Sequence, residues 1–219
     1  MLHINKALCV AAVMSATGAA FTTPIFANDA ALYDAPIPAD KSLVRFLNVK
    51  LKSGVSLDFS GQKFEVAPVV LSNYRLLANG AYKISDGTTF AEGTFEPGRF
   101  YTVAIGVDTD SEQGIVVISD KAVENPSKSA LTFYNFSTRS ANLSLRLNGD
   151  SKVLFKDLAP AAMASKELPA VDIGLEVSEG DTKVSVEKVS LTAKDRQNFI
   201  VIDTPNGPAG FLTATAIDR

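Results

Sequence analysis

Leu43-Val44-Arg45-Phe46-Leu47-Asn48-Val49-Lys50, LVRFLNVK, returns 87 residues later as ALTFYNFS, Ala130 to Ser137. Set side by side, Val44 and Phe46 match Leu131 and Phe133 as core-facing strand positions. Asn48 matches Asn135 at the strand end, where an asparagine side chain can bond the turning backbone. Arg45 has no such echo, because its counterpart is Thr132. It therefore stands outside the repeated scaffold and is a candidate for contact with a partner.

Working outward, the echo continues in order. VSLDFSG (Val55 to Gly61) matches LSLRLNG (Leu143 to Gly149), each an alternating apolar strand that runs into a small polar residue and Gly. VAP at Val66 to Pro68 answers LAP at Leu158 to Pro160, and ISDG at Ile84 to Gly87 answers VSEG at Val177 to Gly180. RFYTVAI (Arg99 to Ile105) answers QNFIVID (Gln197 to Asp203), aligned through Phe100 and Phe199. Each copy carries seven or eight short strands, with turn residues about every eight to twelve positions and no sustained helical period. The fold class is all-β: two tandem antiparallel β-sandwich domains, Ig-like in size, behind a cleaved signal peptide. The expected boundaries are a signal peptide over 1–27, an extended lead-in over 28–41, a first sandwich over 42–121, a linker over 122–129 and a second sandwich over 130–219.

The signal peptide is read from Lys6, the apolar run beginning at Ala7, and the small residues around Ala27, with Ala30 a second cleavage candidate. No later stretch has the apolar length of a membrane helix. Beyond Ala27 the chain has 20 Lys and Arg, because Lys6 is removed, against 24 Asp and Glu. That acidic balance lacks the basic stripe that nucleic-acid binding needs. The single Cys, Cys9, and the single His, His3, both lie in the signal. The exported chain can therefore form no disulfide, and it can build neither a Ser-His-Asp nor a Cys-His relay nor the usual zinc site.

Other chemistry is weighed residue by residue. Ser165-Lys166 is formally a dyad, but neighbours on a strand face opposite ways. Asp108, Asp110 and Glu112 in VDTDSEQG alternate somewhat like the start of a calcium loop, yet the plain reading is a hairpin between FYTVAIG and GIVVIS. The tyrosines 33, 74, 82, 101 and 134, with Arg45, Arg75, Arg99 and Arg139 nearby in sequence, suit a glycan or protein surface, although each Tyr also suits sheet packing. From these, Tyr33, Arg45, Tyr74, Arg75 and Tyr101 are the candidate partner or glycan surface. No catalytic, metal or cofactor residue is assigned, and no cofactor is implied.

ALYDAPIPADKSLVRFLNV (Ala31 to Val49), VAP, FYTV (Phe100 to Val103) and the strand around Leu131 to Asn135 resemble the AlgF family of periplasmic alginate O-acetylation proteins, with relatives in acetylated-cellulose operons. The resemblance covers most of the exported chain in order. It implies a periplasmic accessory protein without catalytic residues of its own. Such a protein works beside a membrane acyltransferase and SGNH-type acetyltransferases, with the polysaccharide a further contact. The expected polymer is alginate, and cellulose is the second candidate. A free-standing glycan-binding module and a chaperone-like secretion protein are the alternatives, and relay of acetyl groups on a serine of this chain stays open.

Overall fold

The computed structural model describes residues 37–109, 112–121, 125, 127–180 and 182–218. The expected signal peptide, Tyr33 with most of the expected lead-in, and Asp110 of the acidic turn lie outside the described residues. The first copy supplies β1 (Lys41–Asn48), β2 (Val55–Phe59), β3 (Gln62–Val66), β4 (Tyr74–Ala78), β5 (Gly80–Ser85), β6 (Phe90–Phe95), β7 (Phe100–Thr109) and β8 (Glu112–Asp120). The second supplies β9 (Ser129–Phe136), β10 (Ala141–Leu147), β11 (Asp150–Leu158), β12 (Ala162–Leu168), β13 (Asp172–Glu179), β14 (Thr182–Ser190), β15 (Arg196–Thr204) and β16 (Gly207–Ala214). A two-residue β17 (Ile217–Asp218) ends the order.

These strands form four sheets, ordered β17-β4-β1-β7-β8, β3-β2-β5-β6, β12-β9-β15-β16 and β11-β10-β13-β14. With β17 set aside, the second pair of sheets repeats the first strand for strand. Each copy is a sandwich of an inner and an outer sheet. Val44, Phe46, Val103 and Ile105 of the first inner sheet pack against Leu57, Phe59, Ile84 and Phe95 of its outer sheet. Leu131, Phe133 and Phe199 pack likewise against Leu143, Leu175 and Val177. The inner sheets also pack on each other, joining Leu47, Ala104 and Val107 to Tyr134, Phe136, Ile200 and Ile202. The molecule is thus four layers with three apolar seams, and the two copies share the middle one.

Two details go beyond the sequence reading. Each inner sheet contains one parallel pair, β1 with β7 and β9 with β15, among otherwise antiparallel neighbours apart from β17. That arrangement places β1 and β9 in the middle of the stack, buried on both faces, which is why they read as near-continuous apolar runs. The pairing also corrects the alignment of the last strands. Phe46 sits beside Val103 and Phe133 beside Phe199, so Phe199 answers Val103 and not Phe100.

The repeated asparagines do the same work twice. Asn48 Nδ2 donates to the carbonyls of Ser53 and Val66, and its Oδ1 accepts the Lys50 N–H. Asn135 Nδ2 donates to the carbonyls of Arg139 and Leu158, and its Oδ1 accepts the Ser137 N–H. Val66 and Leu158 are the matched residues before the Ala-Pro turn, so each asparagine clamps the same loop to the end of its central strand. Buried amides left unpaired would cost about 1–3 kcal/mol each, which makes the clamp a condition of the turn.

Candidate functional site

Arg45 stands on β1 between Val44 and Phe46, and strand alternation turns it out of the first sandwich core toward the second copy. It is 2% exposed, the largest fully buried side chain described. Its Nε donates to Thr102 Oγ1 at 2.9 Å, Nη1 to Thr215 Oγ1 at 3.2 Å, and Nη2 to Tyr134 OH at 2.7 Å and Asn198 Oδ1 at 3.0 Å. The guanidinium carbon lies 4.3 Å from the centre of the Tyr74 ring. Its counter-charge is Asp120 at the end of β8, 3.9 Å from Nε. Asp120 accepts hydroxyl protons from Tyr74 at 2.6 Å, Thr102 at 2.6 Å and Tyr134 at 2.5 Å.

Burial by itself would lower the Arg45 pKa, but Tyr74, Tyr134 and Asp120 around it outweigh that and raise it. Burial pushes Tyr74 well up despite the opposing pull of Arg45, and Asp120 adds to the rise; Tyr134 moves the same way for the same reasons. Both phenols therefore stay protonated as donors. A single cation and a single anion, each with several hydrogen bonds, meet the condition under which a buried ion pair is tolerated. Residues of both copies complete it: Arg45, Tyr74, Thr102 and Asp120 from the first, Tyr134, Asn198 and Thr215 from the second.

The C-terminal segment adds a strap. Asn198 Nδ2 holds Thr215 Oγ1 at 2.8 Å, the Tyr74 N–H bonds the Ala216 carbonyl at 2.9 Å, and β17 then pairs in parallel with β4. Asp218 accepts from Asn73 at 2.8 Å and lies 3.8 Å from Arg75. The last residues of the second copy are thereby built into the first sandwich's sheet.

Three of the five expected surface residues need correction. Arg45 and Tyr74 meet inside the seam, because the second copy covers the face of β1 and β4 that a lone sandwich would leave open. Tyr101 points into the first core, 4.5 Å from the Phe95 ring centre, and its hydroxyl accepts the Glu96 N–H. Arg75 is exposed. Among the remaining tyrosines, Tyr82 stacks on Phe95 at 4.2 Å. Asp120, Tyr134, Thr102 and Asn198 were missed as a group. Period-two spacing did carry a signal, since Asp120 shares a strand face with Val116 and Ile118.

Every member of the cluster except half-buried Thr215 is buried and bonded to another, so it offers no face to a substrate. Open concavities lie elsewhere. One end of the seam has a crevice of about 320 Å³, with Val49, Phe136 and Ile202 below and Lys52, Ser53, Asp108 and Asp203 around it. A groove of about 640 Å³ on the outer face of the second sandwich runs between Arg146 and Lys188 over Gly174, where an added Cβ would meet Arg146 Cβ at 3.1 Å. Ser165 bonds Thr132 at 3.1 Å while Lys166 is exposed on the opposite face, so they form no dyad. Among the described residues no group of acidic side chains could hold a metal, and no helix is long and apolar enough to cross a membrane.

Fold and site together define a tandem β-sandwich protein whose two halves are welded through a sealed polar centre. The pattern of the AlgF family, described as "Alginate O-acetyl transferase AlgF", matches residues 13–196, and the chain belongs to that family. It is 28% identical over 190 residues to the alginate biosynthesis protein AlgF of Pseudomonas fluorescens, covering 86% of this chain and 83% of that one. It is 26% identical over 187 residues to the protein of the same name from Azotobacter vinelandii, covering 84% and 83%. A solved structure of the C-terminal domain of AlgF from P. aeruginosa covers 40% of this chain and 98% of its own, with 21% identity and a TM-score of 0.35.

Proposed function

We propose that this protein is a non-catalytic periplasmic accessory component of exopolysaccharide O-acetylation, an adaptor that binds an acetyltransferase of its pathway, with alginate as the polymer. The carrying observation is the Arg45–Asp120 centre. This buried ionic cluster is closed and paired, so it fixes two sandwiches at one orientation instead of processing a substrate. A rigid two-headed body suits holding partners at a set spacing, with end loops and sheet edges as contact surfaces. Lack of His and Cys beyond residue 9 agrees with chemistry performed by another chain. On this reading the word "transferase" in the family description belongs to the system that the protein serves.

Deleting the gene is expected to leave polymer made but poorly acetylated, and unchanged acetyl content would sink the reading. Exposure of the purified protein to an acetyl donor is expected to give no adduct by mass spectrometry. An acetyl-serine would instead identify a relay. One observation favours a second contact: exposed Lys188 lies across a hollow from Arg146, which is itself paired with Glu176 at 3.5 Å, and a lysine over a hollow suits a carboxylate of a uronate polymer. Titration with oligouronides should then give weak binding that falls with salt and is lost in Lys188→Ala.

A further inference from the structure

The first sandwich neutralises a buried carboxylate that the second leaves alone. In ISDG, Asp86 follows inward-facing Ile84 by two positions and lies at the end of the first sandwich core. It accepts from the Thr88 and Thr89 N–H groups at 2.9 and 2.7 Å, and from Lys50 Nζ at 3.2 Å. Lys50 reaches it across Gly106, where an added Cβ would meet the Lys50 Cγ at 2.6 Å. The glycine is the gap through which the lysine passes.

In VSEG, Glu179 occupies the matching place. It follows inward-facing Val177 by two positions on β13, whose burial alternates Ile173, Leu175, Val177, Glu179. It is 7% exposed, and its Oε1 is buried with no hydrogen-bond partner. Both parts of the first copy's solution are gone. Lys50 sits two residues beyond its clamp asparagine, and the same step from Asn135 reaches Ser137. The Ser137 hydroxyl is turned into its own loop, on Asn135 Oδ1 at 2.8 Å and the Arg139 carbonyl at 3.0 Å. Gly106 is replaced by Ile202, the residue beside Phe136 in the β9–β15 register, whose side chain packs in the seam between the copies. A carboxylate oxygen buried without a partner is unfavourable, and no described residue of this copy takes the place of Lys50 beside it.

We infer that Glu179 is the anionic floor of a docking site for a lysine side chain of a protein partner, entering from outside at the end of the second sandwich. The partner's ammonium stands where Lys50 stands in the first copy. The inference rests on the adaptor reading for its partner, and charge complementarity with an existing intramolecular pair sets the chemistry of the occupant.

The test uses the full exported chain, wild type and Glu179→Gln, against two probes. The first is the purified periplasmic acetyltransferase of the same operon. Expected is wild-type binding that weakens about tenfold or more in Glu179→Gln, while the variant unfolds cooperatively at a temperature no lower than wild type, since the buried Oε1 has no hydrogen bond to lose. Equal binding by both overturns the inference and leaves the adaptor standing, whereas failure of the wild type to bind removes the adaptor reading. The second probe decides the lysine site without that partner. Titration with hexalysine, followed by carbon-13 NMR of the Glu179 carboxyl, is expected to give a saturable shift that hexaglutamate does not. No saturable shift overturns the site.

Discussion

Asn48 and Asn135 hold matching carbonyls in the two sandwiches, yet the residues two places on, Lys50 and Ser137, do not match, and neither do Arg45 and Thr132. Where the copies agree, the polar group completes a turn that any such sandwich must make. Where they differ, it does something that only one copy can do. Arg45 reaches across to the second copy, while Thr132 stays within its own sheet and bonds Ser165. Lys50 neutralises Asp86, while Ser137 leaves Glu179 unanswered. Departure from the repeat therefore marks where the chain stopped being two domains and became one machine part.

The hardest way to break that contrast is at Arg45. Arg45→Met leaves Asp120 buried without its cation, and about 3–5 kcal/mol of unfolding free energy should be lost in urea titration. Arg45→Met with Asp120→Asn removes both charges and should recover a large part of it. Thr132→Ala, the matched position in the other copy, should cost about 1 kcal/mol or less. A similar loss at both positions would mean that the centre has no special role.

A smaller effect tests the agreement between copies. Asn48→Ala and Asn135→Ala each orphan two loop carbonyls and one N–H, and each should cost about 2 kcal/mol, nearly the same in the two sandwiches. A clear inequality would show that one loop is held by something besides its asparagine.

Much of this was legible before any coordinates. The repeat showed two copies of one all-β unit, and the asparagine pairing pointed to the clamps, because both follow from local patterns that a chain must write twice; the parallel pairs of the inner sheets did not. The seam was not legible in the same way. Arg45, Tyr74 and Tyr101 suit a surface when a sandwich is imagined alone, since a half-buried sheet has an outer face for such residues. What buries Arg45 and Tyr74 is the second sandwich, contact at a sequence separation of 89 between Arg45 and Tyr134. The near-continuous apolar run of β1 and β9 already hinted at two buried faces, while alternation in β2 marked the half-exposed outer sheet. Tyr101 was misplaced for a different reason: it shares the core face of Val103 and Ile105, which period-two counting places directly.

Acid sharpens the contrast at the strand ends. Burial tends to raise the Asp86 pKa, but hydrogen bonds from the Thr89 and Thr88 N–H groups, Lys50 and the Thr89 hydroxyl bring it down to about 2. The folded state thus holds the proton more weakly than the unfolded chain, whose ordinary value is 3.8. Its contribution is complete above about pH 4 and is lost as the pH falls through 2, a total of at most about 2 kcal/mol. Asp86→Asn should flatten stability against pH in that window and lower it at neutral pH by about 1–2 kcal/mol, read by denaturation at several pH values.

The smallest expected effect lies in the Ala-Pro turns, where sequence and geometry agree and only the side chain differs. Val69 and Ala161 each follow the turn proline, and both have φ of 55°, the left-handed region. For an L-residue that conformation costs about 1 kcal/mol or somewhat more, and Gly avoids it at the price of a looser unfolded chain. Ala161→Gly should therefore gain about 0.5 kcal/mol. Val69→Gly relieves a worse conformation, since a β-branched side chain is poorly suited to positive φ, but it also removes Val69 from its packing against Leu47 and its neighbours in the seam. The two terms oppose, and the packing loss should win by about 1 kcal/mol. Opposite signs at two equivalent turns, measured by thermal denaturation, would show that the first copy keeps its strained valine for the seam it helps to fill. A gain at both would show that the valine contributes nothing there.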